Sequence, residues 1–147
     1  EVRLKGAYYI RYASHETDEN GNITAVHCTY DPESRGGETP DGRKVKGTLH
    51  WISAAHCIDA EVRLYERLFN AENPSDETGV SSFADNLNPH SLEVLTNCKV
   101  GEEMLKEVAG TTFQFMRQGY FCIDTDSTAE RPVFNRTVAL KDSFPKK

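Results

Sequence analysis

Long apolar runs, paired cysteines and a secretory leader are all missing from this sequence of 147 residues. No apolar stretch approaches the roughly 20 residues that cross a bilayer, and no basic-then-apolar segment marks a signal peptide. The four cysteines include no C-x-x-C pair, which argues against a zinc ribbon and against a dense disulfide framework. The sequence therefore predicts a soluble cytoplasmic protein with no membrane partner and no metal site.

A complete set of catalytic residues is missing as well. The segment Trp51–Cys57, WISAAHC, resembles the block around the catalytic histidine of chymotrypsin-type serine proteases. Those enzymes also need a nucleophilic serine in a glycine-rich turn that forms an oxyanion hole, and no sequence like Gly-Asp-Ser-Gly-Gly occurs here. The chain is also too short for two complete protease barrels. We therefore assign no catalytic residue and expect Trp51 and His56 to pack in or near a core.

Positive charge is scarce, since 17 Lys and Arg stand against 23 Asp and Glu, for a net charge of -6. Indiscriminate binding to nucleic acid depends on many phosphate contacts, so this balance argues against a protein that coats DNA or RNA. Two small basic groups remain, Arg3, Lys5 and Arg11 near the start and Arg43, Lys44 and Lys46 beside a glycine-rich turn. They are compatible with a local basic site or with solvated charges on strand faces.

What the sequence does contain is a succession of β-strand patterns. Asn20-Gly21 separates two strand-like runs and tolerates the positive φ angles of a tight hairpin. Around Phe113 and Phe115, the alternation puts these two rings on one face and Gln114 and Met116 on the other. The predicted strand runs are Val2–Tyr12, Ile23–Tyr30, Val45–Ser53, Leu92–Val100, Thr112–Met116, Tyr120–Ile123 and Pro132–Leu140. With a short helix over Glu102–Val108, the pattern predicts a mainly antiparallel, all-β protein.

Several segments together resemble the carboxy-terminal anticodon-binding region of glutaminyl-tRNA synthetases. They occur in that family's order and spacing, from Glu1 to about Phe144: EVRLKGAYYIRY, HCTYDPES, DGRKVKGTLHW, AEVRLYERLFNAENP, LNPHSLEV, FQFMRQGYFCID and VFNRTVALKDS. The family also carries a block similar to WISAAHC after its own DGRKVKG segment. The resemblance therefore explains the protease-like motif without a protease.

The resemblance implies two small β-barrels of the ribosomal L25-like, glutaminyl-tRNA synthetase anticodon-binding type. Residues 1–76 would form the distal barrel, and residues 77–147 the carboxy-terminal part of the proximal barrel. The period of Glu61–Phe69 suits a helix or a strand, and the resemblance favours a strand.

The resemblance also implies four anticodon-binding residues. Arg3 and Lys5 match positions that approach the first anticodon nucleotide, although the family has Arg where Lys5 stands. Gln114 and Arg117 match positions that contact the middle anticodon base. Residues three apart in a regular strand face opposite ways, so Arg117 must lie in or beside the turn before Gly119 for both to reach one base.

By the same resemblance, the parent enzyme joins glutamine to tRNA(Gln) with ATP and magnesium. This fragment would bind no cofactor itself, because it has neither a His-Ile-Gly-His nor a Lys-Met-Ser-Lys-Ser signature. Its expected partners are tRNA(Gln) and the remainder of the synthetase chain, with no DNA. The alternatives are the equivalent domain of an archaeal or eukaryotic-type glutamyl-tRNA synthetase, and a stand-alone L25-like module that binds ribosomal RNA.

Overall fold

The computed structural model describes residues 1–75, 79 and 82–140. Its contacts divide the chain into two units, Glu1–Trp51 and Ile52–Lys147. The strands of the first unit are β1 (Val2–Leu4), β2 (Tyr9–Thr17), β3 (Ile23–Asp31) and β4 (Gly47–Leu49). Those of the second are β5 (Cys57–Tyr65), β6 (Leu92–Gly101), β7 (Thr112–Phe115), β8 (Gly119–Ile123) and β9 (Val133–Ala139). The short 3₁₀ helices are Pro32–Ser34, Phe83–Asn86 and Glu102–Lys106.

The first unit is a four-stranded sheet in the order β3-β2-β1-β4. The run predicted as one strand over Val2–Tyr12 is divided, because the chain reverses at Gly6, whose φ is 71°. β1 then pairs antiparallel with β2 and parallel with β4. The parallel partner comes from a segment far along the chain, so periodicity alone did not reveal it.

The predicted hairpin between β2 and β3 is confirmed. Its turn is held by Asp18, whose Oδ1 accepts hydrogen bonds from the backbone N–H groups of Asn20 and Asn22. Gly21 takes a φ of 81°, which glycine adopts at little steric cost. From Tyr12 to the turn, most side chains of both strands are exposed, so the hairpin extends as a ribbon beyond the short strand β1.

The second unit is a five-stranded sheet in the order β6-β5-β9-β8-β7, with β5 and β9 parallel and the other pairs antiparallel. Alternate residues of β5 point into one core, which confirms this segment as a strand through Tyr65. The buried core residues are Ala60, Val62, Val100, Phe121, Ile123 and Phe134. Phe113 and Phe115 pack against this core, as their alternation predicts, and the Phe115 ring stacks on Phe121 with centroids 4.5 Å apart.

The all-β fold class is confirmed, with three corrections of detail. Among the described residues, neither sheet closes into a barrel. Each sheet also contains one parallel pair. The predicted helix over Glu102–Val108 is a 3₁₀ helix that ends at Lys106, with no α-helix among the described residues. Gly110 takes a φ of 89°, so the chain turns soon after this short segment.

The division between the units lies after Trp51. The predicted boundary at residue 76 lies outside the described residues. β5 comes before that position, yet its hydrogen-bonded neighbours are β6 and β9 in the second sheet. Strand pairing therefore joins Cys57–Tyr65 to the second sheet, and the division of the chain at residue 76 stays a prediction.

Candidate nucleic-acid interface

Gln114 lies on the exposed side of the hairpin formed by β7 and β8. The side chains of Phe113 and Phe115, its neighbours in β7, face the core, and Gln114 is exposed between them. Its cross-strand partner is Tyr120 in β8. The amide group of Gln114 can both donate and accept hydrogen bonds, so it can read the edge of a base that approaches this face.

Arg117 lies in the turn of the same hairpin, the position it needs if it and Gln114 are to reach one base. The backbone N–H of Gln118 donates to the carbonyl oxygen of Phe115 at 2.8 Å, and Arg117 has a φ of 65°. Arg117 is thus the third residue of a four-residue hydrogen-bonded turn and has the positive φ that favours glycine or asparagine. Arg117 is the one described non-glycine residue with a positive φ. A left-handed conformation costs an L-residue roughly 1 to 2 kcal/mol.

Arg3 is half-buried in the first unit. Its Nε and Nη2 donate to the Thr48 hydroxyl at 3.2 and 3.0 Å, and its Nη1 donates to the Gly37 carbonyl at 3.4 Å. A Cβ at Gly37 would lie 2.7 Å from Arg3 Cδ, so this glycine allows the loop to cover the arginine closely. The guanidinium is therefore fixed in place, with only part of its donor capacity left for an outside acceptor.

Lys5 follows β1 and is exposed. Its backbone is held on both sides: its N–H donates to Leu49 at 2.9 Å, and its carbonyl accepts from the Trp51 indole at 3.0 Å. The backbone at Lys5 is thus fixed while its ammonium reaches solvent. Arg3 and Lys5 lie in the first unit, and Gln114 and Arg117 lie in the second.

The basic group at Arg43 is neutralised by carboxylates. Its guanidinium donates to Glu1, Asp31 and Asp41 and lies over the Tyr9 ring, 5.4 Å from the centroid. Hydrogen bonds from Arg43 lower the pKa of Glu1 and of Asp31, and these carboxylates raise the pKa of Arg43. Arg43 is therefore a structural cation, whereas Lys44 and Lys46 are exposed.

Trp51 and His56 are not the core residues that the sequence predicted. Trp51 is 44% exposed, because its indole caps the Lys5 carbonyl at the sheet edge. The His56 side chain is 71% exposed, and its Nδ1 lies 3.2 Å from the Glu102 carboxylate. The apolar and aromatic residues of WISAAHC suggested packing in or near a core. Instead, Trp51 and His56 contact polar groups at the surface.

Sequence reasoning overlooked the exposed Tyr120 and Val138. Tyr120 lies between Gln114 and Val138 in the register of β7, β8 and β9, with 44% of its surface exposed. The only available signal was the alternation in GYFCI, which puts Tyr120 and Phe121 on opposite faces. Which residues flank Tyr120 depends on strand register, including an irregularity between Tyr120 and Phe121.

Residues 1–75, 79 and 82–140 contain neither a metal-binding cluster nor a membrane-spanning helix. No group of three or more His, Cys, Asp or Glu side chains in this part of the chain is arranged to hold a metal ion. None of the helices described there has the length and apolar character needed to span a membrane.

The chain matches known proteins along most of its length. Residues 48–124 match the family described as tRNA synthetases class I (E and Q), anti-codon binding domain. A glutamine–tRNA ligase of Pseudomonas syringae pv. tomato is 49% identical over 98% of this chain. Ligases of the same name from Bradyrhizobium diazoefficiens and Escherichia coli are 48% and 49% identical over 99% of it.

The matched portions make up 25%, 25% and 26% of those three relatives, so the chain spans about a quarter of their length. The family match contains β5 to β8, and with them Gln114, Arg117 and Tyr120. This match covers more than half of the chain, so the protein belongs to the anticodon-binding domain family of the class I tRNA synthetases for glutamate and glutamine.

Proposed function

We propose that this chain is the anticodon-reading part of a glutamine–tRNA ligase and binds tRNA(Gln). In this proposal, Gln114 and Arg117 read the middle anticodon base, and Arg3 and Lys5 bind the first anticodon nucleotide and its phosphate. Activation of glutamine with ATP and magnesium belongs to the rest of a longer cytoplasmic chain. The near-50% identity to glutamine–tRNA ligases along almost the whole sequence supports the choice of amino acid.

The observation that carries the proposal is the turn at Arg117. Glycine would relieve the positive φ at this position, yet the chain has an arginine directly beyond the strand that exposes Gln114. Unfavourable backbone conformations cluster at functional sites in proteins. A guanidinium donates a fork of hydrogen bonds, and the nearby amide supplies both a donor and an acceptor. Together they provide the polar groups needed to identify an unpaired base by its edge.

The acidic composition is compatible with this function. Sequence-specific RNA recognition commonly targets splayed loop bases through a few hydrogen bonds, so a large positive surface is not needed. Arg43 is held by carboxylates, and Arg3 is fixed by Thr48 and Gly37. Phosphate attraction would then come from a few exposed cations such as Lys5.

The test is binding of the protein to tRNA(Gln) and to variants of its middle anticodon base. Arg117→Ala should reduce discrimination at that base by about 1 to 3 kcal/mol, because a base-edge contact is lost. Arg117→Gly should reduce it equally and leave the fold as stable or more stable, because glycine relieves the positive φ.

Arg131→Ala is the matched control, because Arg131 is an exposed arginine of the second unit outside this hairpin. It should leave discrimination unchanged. Lys5→Ala should weaken binding similarly for all sequences and lower the salt slope by about 1. Equal losses on cognate and middle-base-variant tRNAs for Arg117→Ala would contradict the assigned role. Preference for glutamate anticodons would move the protein to the glutamate branch of its family.

A further inference from the structure

The exposed face of the β7–β8–β9 sheet carries three side chains in one lateral row. Gln114 is directly opposite Tyr120, and Tyr120 is directly opposite Val138. Directly opposed residues of antiparallel strands project from the same face, with Cβ atoms roughly 4.5 to 5.5 Å apart. All three are exposed, Val138 by 56%. An amide, a phenol ring and an isopropyl group therefore lie side by side on this face.

The Tyr120 ring does not belong to the hydrophobic core of the second unit. That core is on the opposite face, where Phe121 is 3% exposed and stacks on Phe115. Tyr120 thus exposes 44% of its surface to solvent beside the residue already proposed to read a base. An aromatic ring of this kind offers a flat apolar surface next to polar groups.

The backbone around Tyr120 is held firmly. The Thr137 hydroxyl donates to the Tyr120 carbonyl at 3.1 Å, and the irregularity after Tyr120 sets the direction of the strand there. At Gly119, an added Cβ would lie 2.5 Å from the Val138 carbonyl oxygen, so glycine allows β8 and β9 to approach closely. The ring is therefore presented from a fixed position in the sheet.

We propose that Tyr120 is the stacking platform for the anticodon base whose edge Gln114 and Arg117 read. This inference rests on the proposed function and adds a residue to it. A base that lies flat on the Tyr120 ring, with Val138 extending the apolar surface, turns its polar edge towards the neighbouring Gln114 amide. Stacking gives affinity for any base because every base has a π face, whereas the edge contacts give selectivity.

The test is a double-mutant cycle, in which binding is measured for two forms of the protein and two RNAs. Wild type and Tyr120→Val are compared for binding to a glutamine anticodon stem–loop and to the same RNA without the middle base. Tyr120→Val should weaken binding of the intact RNA roughly 5- to 150-fold and binding of the abasic RNA less than about twofold. Tyr120→Phe keeps the ring and should bind as wild type does.

Tyr65→Val is the matched control, since Tyr65 is 46% exposed in the same sheet and pairs with Leu92 instead of a candidate base-reading residue. It should change binding less than twofold. Equal weakening of intact and abasic RNA by Tyr120→Val, or equal losses for Tyr65→Val, would overturn the stacking role. If wild type shows no preference among anticodons, the proposed function fails; if the preference is present without coupling between Tyr120 and the base, only this inference fails.

Discussion

The two units of this chain are stabilised by different physical means. The second unit buries six residues in one hydrophobic cluster, and contacts among four phenylalanine rings reinforce it. In the first unit, Tyr9 is the one buried apolar residue among those described, and Ser34 is the one buried polar residue. Polar contacts replace the missing core there. The comparison shows that a small sheet can be organised around a few hydrogen-bonded side chains when it has little apolar surface to bury.

The polar centre of the first unit is built from hydrogen bonds between Tyr9, Ser34, Asp31 and Gly37. The Ser34 hydroxyl accepts a hydrogen bond from the Tyr9 backbone N–H at 2.8 Å and donates to the Asp31 carbonyl at 2.6 Å. The Tyr9 hydroxyl donates to the Gly37 carbonyl at 3.0 Å, and Arg43 lies over the Tyr9 ring. These contacts hold the loop after β3 against β1 and β2. The loop in turn fixes Arg3, one of the candidate binding residues.

The largest effect should follow from opening the hydrophobic cluster of the second unit. Phe134 is 0% exposed and contacts the rings of Phe113 and Phe115, so Phe134→Ala should lower the free energy of unfolding by about 3 to 5 kcal/mol. Denaturant titration gives the magnitude, and amide hydrogen exchange of β8 and β9 localises it. Phe83→Ala, at a ring that is 54% exposed, is the control and should cost about 1 kcal/mol or less. Similar losses for the two variants would contradict the hydrophobic account.

A smaller effect is expected from the polar centre of the first unit. Ser34→Ala leaves the buried Tyr9 N–H without its acceptor, which should cost about 1 to 3 kcal/mol. The single tryptophan of the chain, Trp51, lies in this unit, so its fluorescence during denaturation reports the loss. Ser14→Ala, at an exposed position of β2, should change stability by less than about 0.5 kcal/mol. An unchanged transition in Ser34→Ala would show that the bond network is dispensable.

The third expected effect depends on pH. Glu1 and Asp31 have a lower pKa in the fold than in the unfolded chain, chiefly because each accepts a hydrogen bond from Arg43. The two carboxylates therefore stabilise the fold at pH values above their unfolded pKa, which is near 4. This stabilisation is lost as the pH falls from there towards their lower pKa values in the fold. In an acid titration followed by Trp51 fluorescence, the stability of the first unit should decrease less in Arg43→Met than in wild type.

Lys99→Met serves as the control for the acid titration, because Lys99 pairs with the exposed Asp59 in the second unit. It should leave the acid response of the Trp51 signal as it is in wild type. If Arg43→Met and wild type lose stability in parallel between about pH 5 and pH 3, the Arg43 network does not stabilise the first unit.

Much of the second unit could be predicted from its local pattern. The alternation around Phe113, Gln114 and Phe115 gave the strand and its two faces, and Gly119 marked the turn that contains Arg117. These features depend on residues within one hairpin, so the sequence displays them directly. The same pattern could not show that Val138 lies beside Tyr120, because the register between β8 and β9 contains an irregularity.

The first unit was harder to predict because its decisive contacts join distant segments. Arg3 was identified as a candidate from the resemblance, but its hydrogen bonds to Thr48 and Gly37 depend on a parallel strand and a loop from later in the chain. Trp51 was expected to pack in or near a core, yet its indole N–H donates to the Lys5 carbonyl at the sheet edge. Neither contact can be predicted from the residues that are next to Arg3 or Trp51 in the sequence.

By itself, the sequence determined the all-β class, the hairpins at Gly21 and Gly119, the family, and the identity of the candidate base-reading residues. Local sterics and alternation are sufficient for the first two, and similarity along the chain is sufficient for the others. Only the tertiary structure decided that neither sheet closes among the described residues, that β5 belongs to the second unit, and that Tyr120 flanks Gln114. The reason is strand pairing. The hydrogen-bond register places side by side residues that are far apart along the chain, and the local sequence pattern does not show which residues these are.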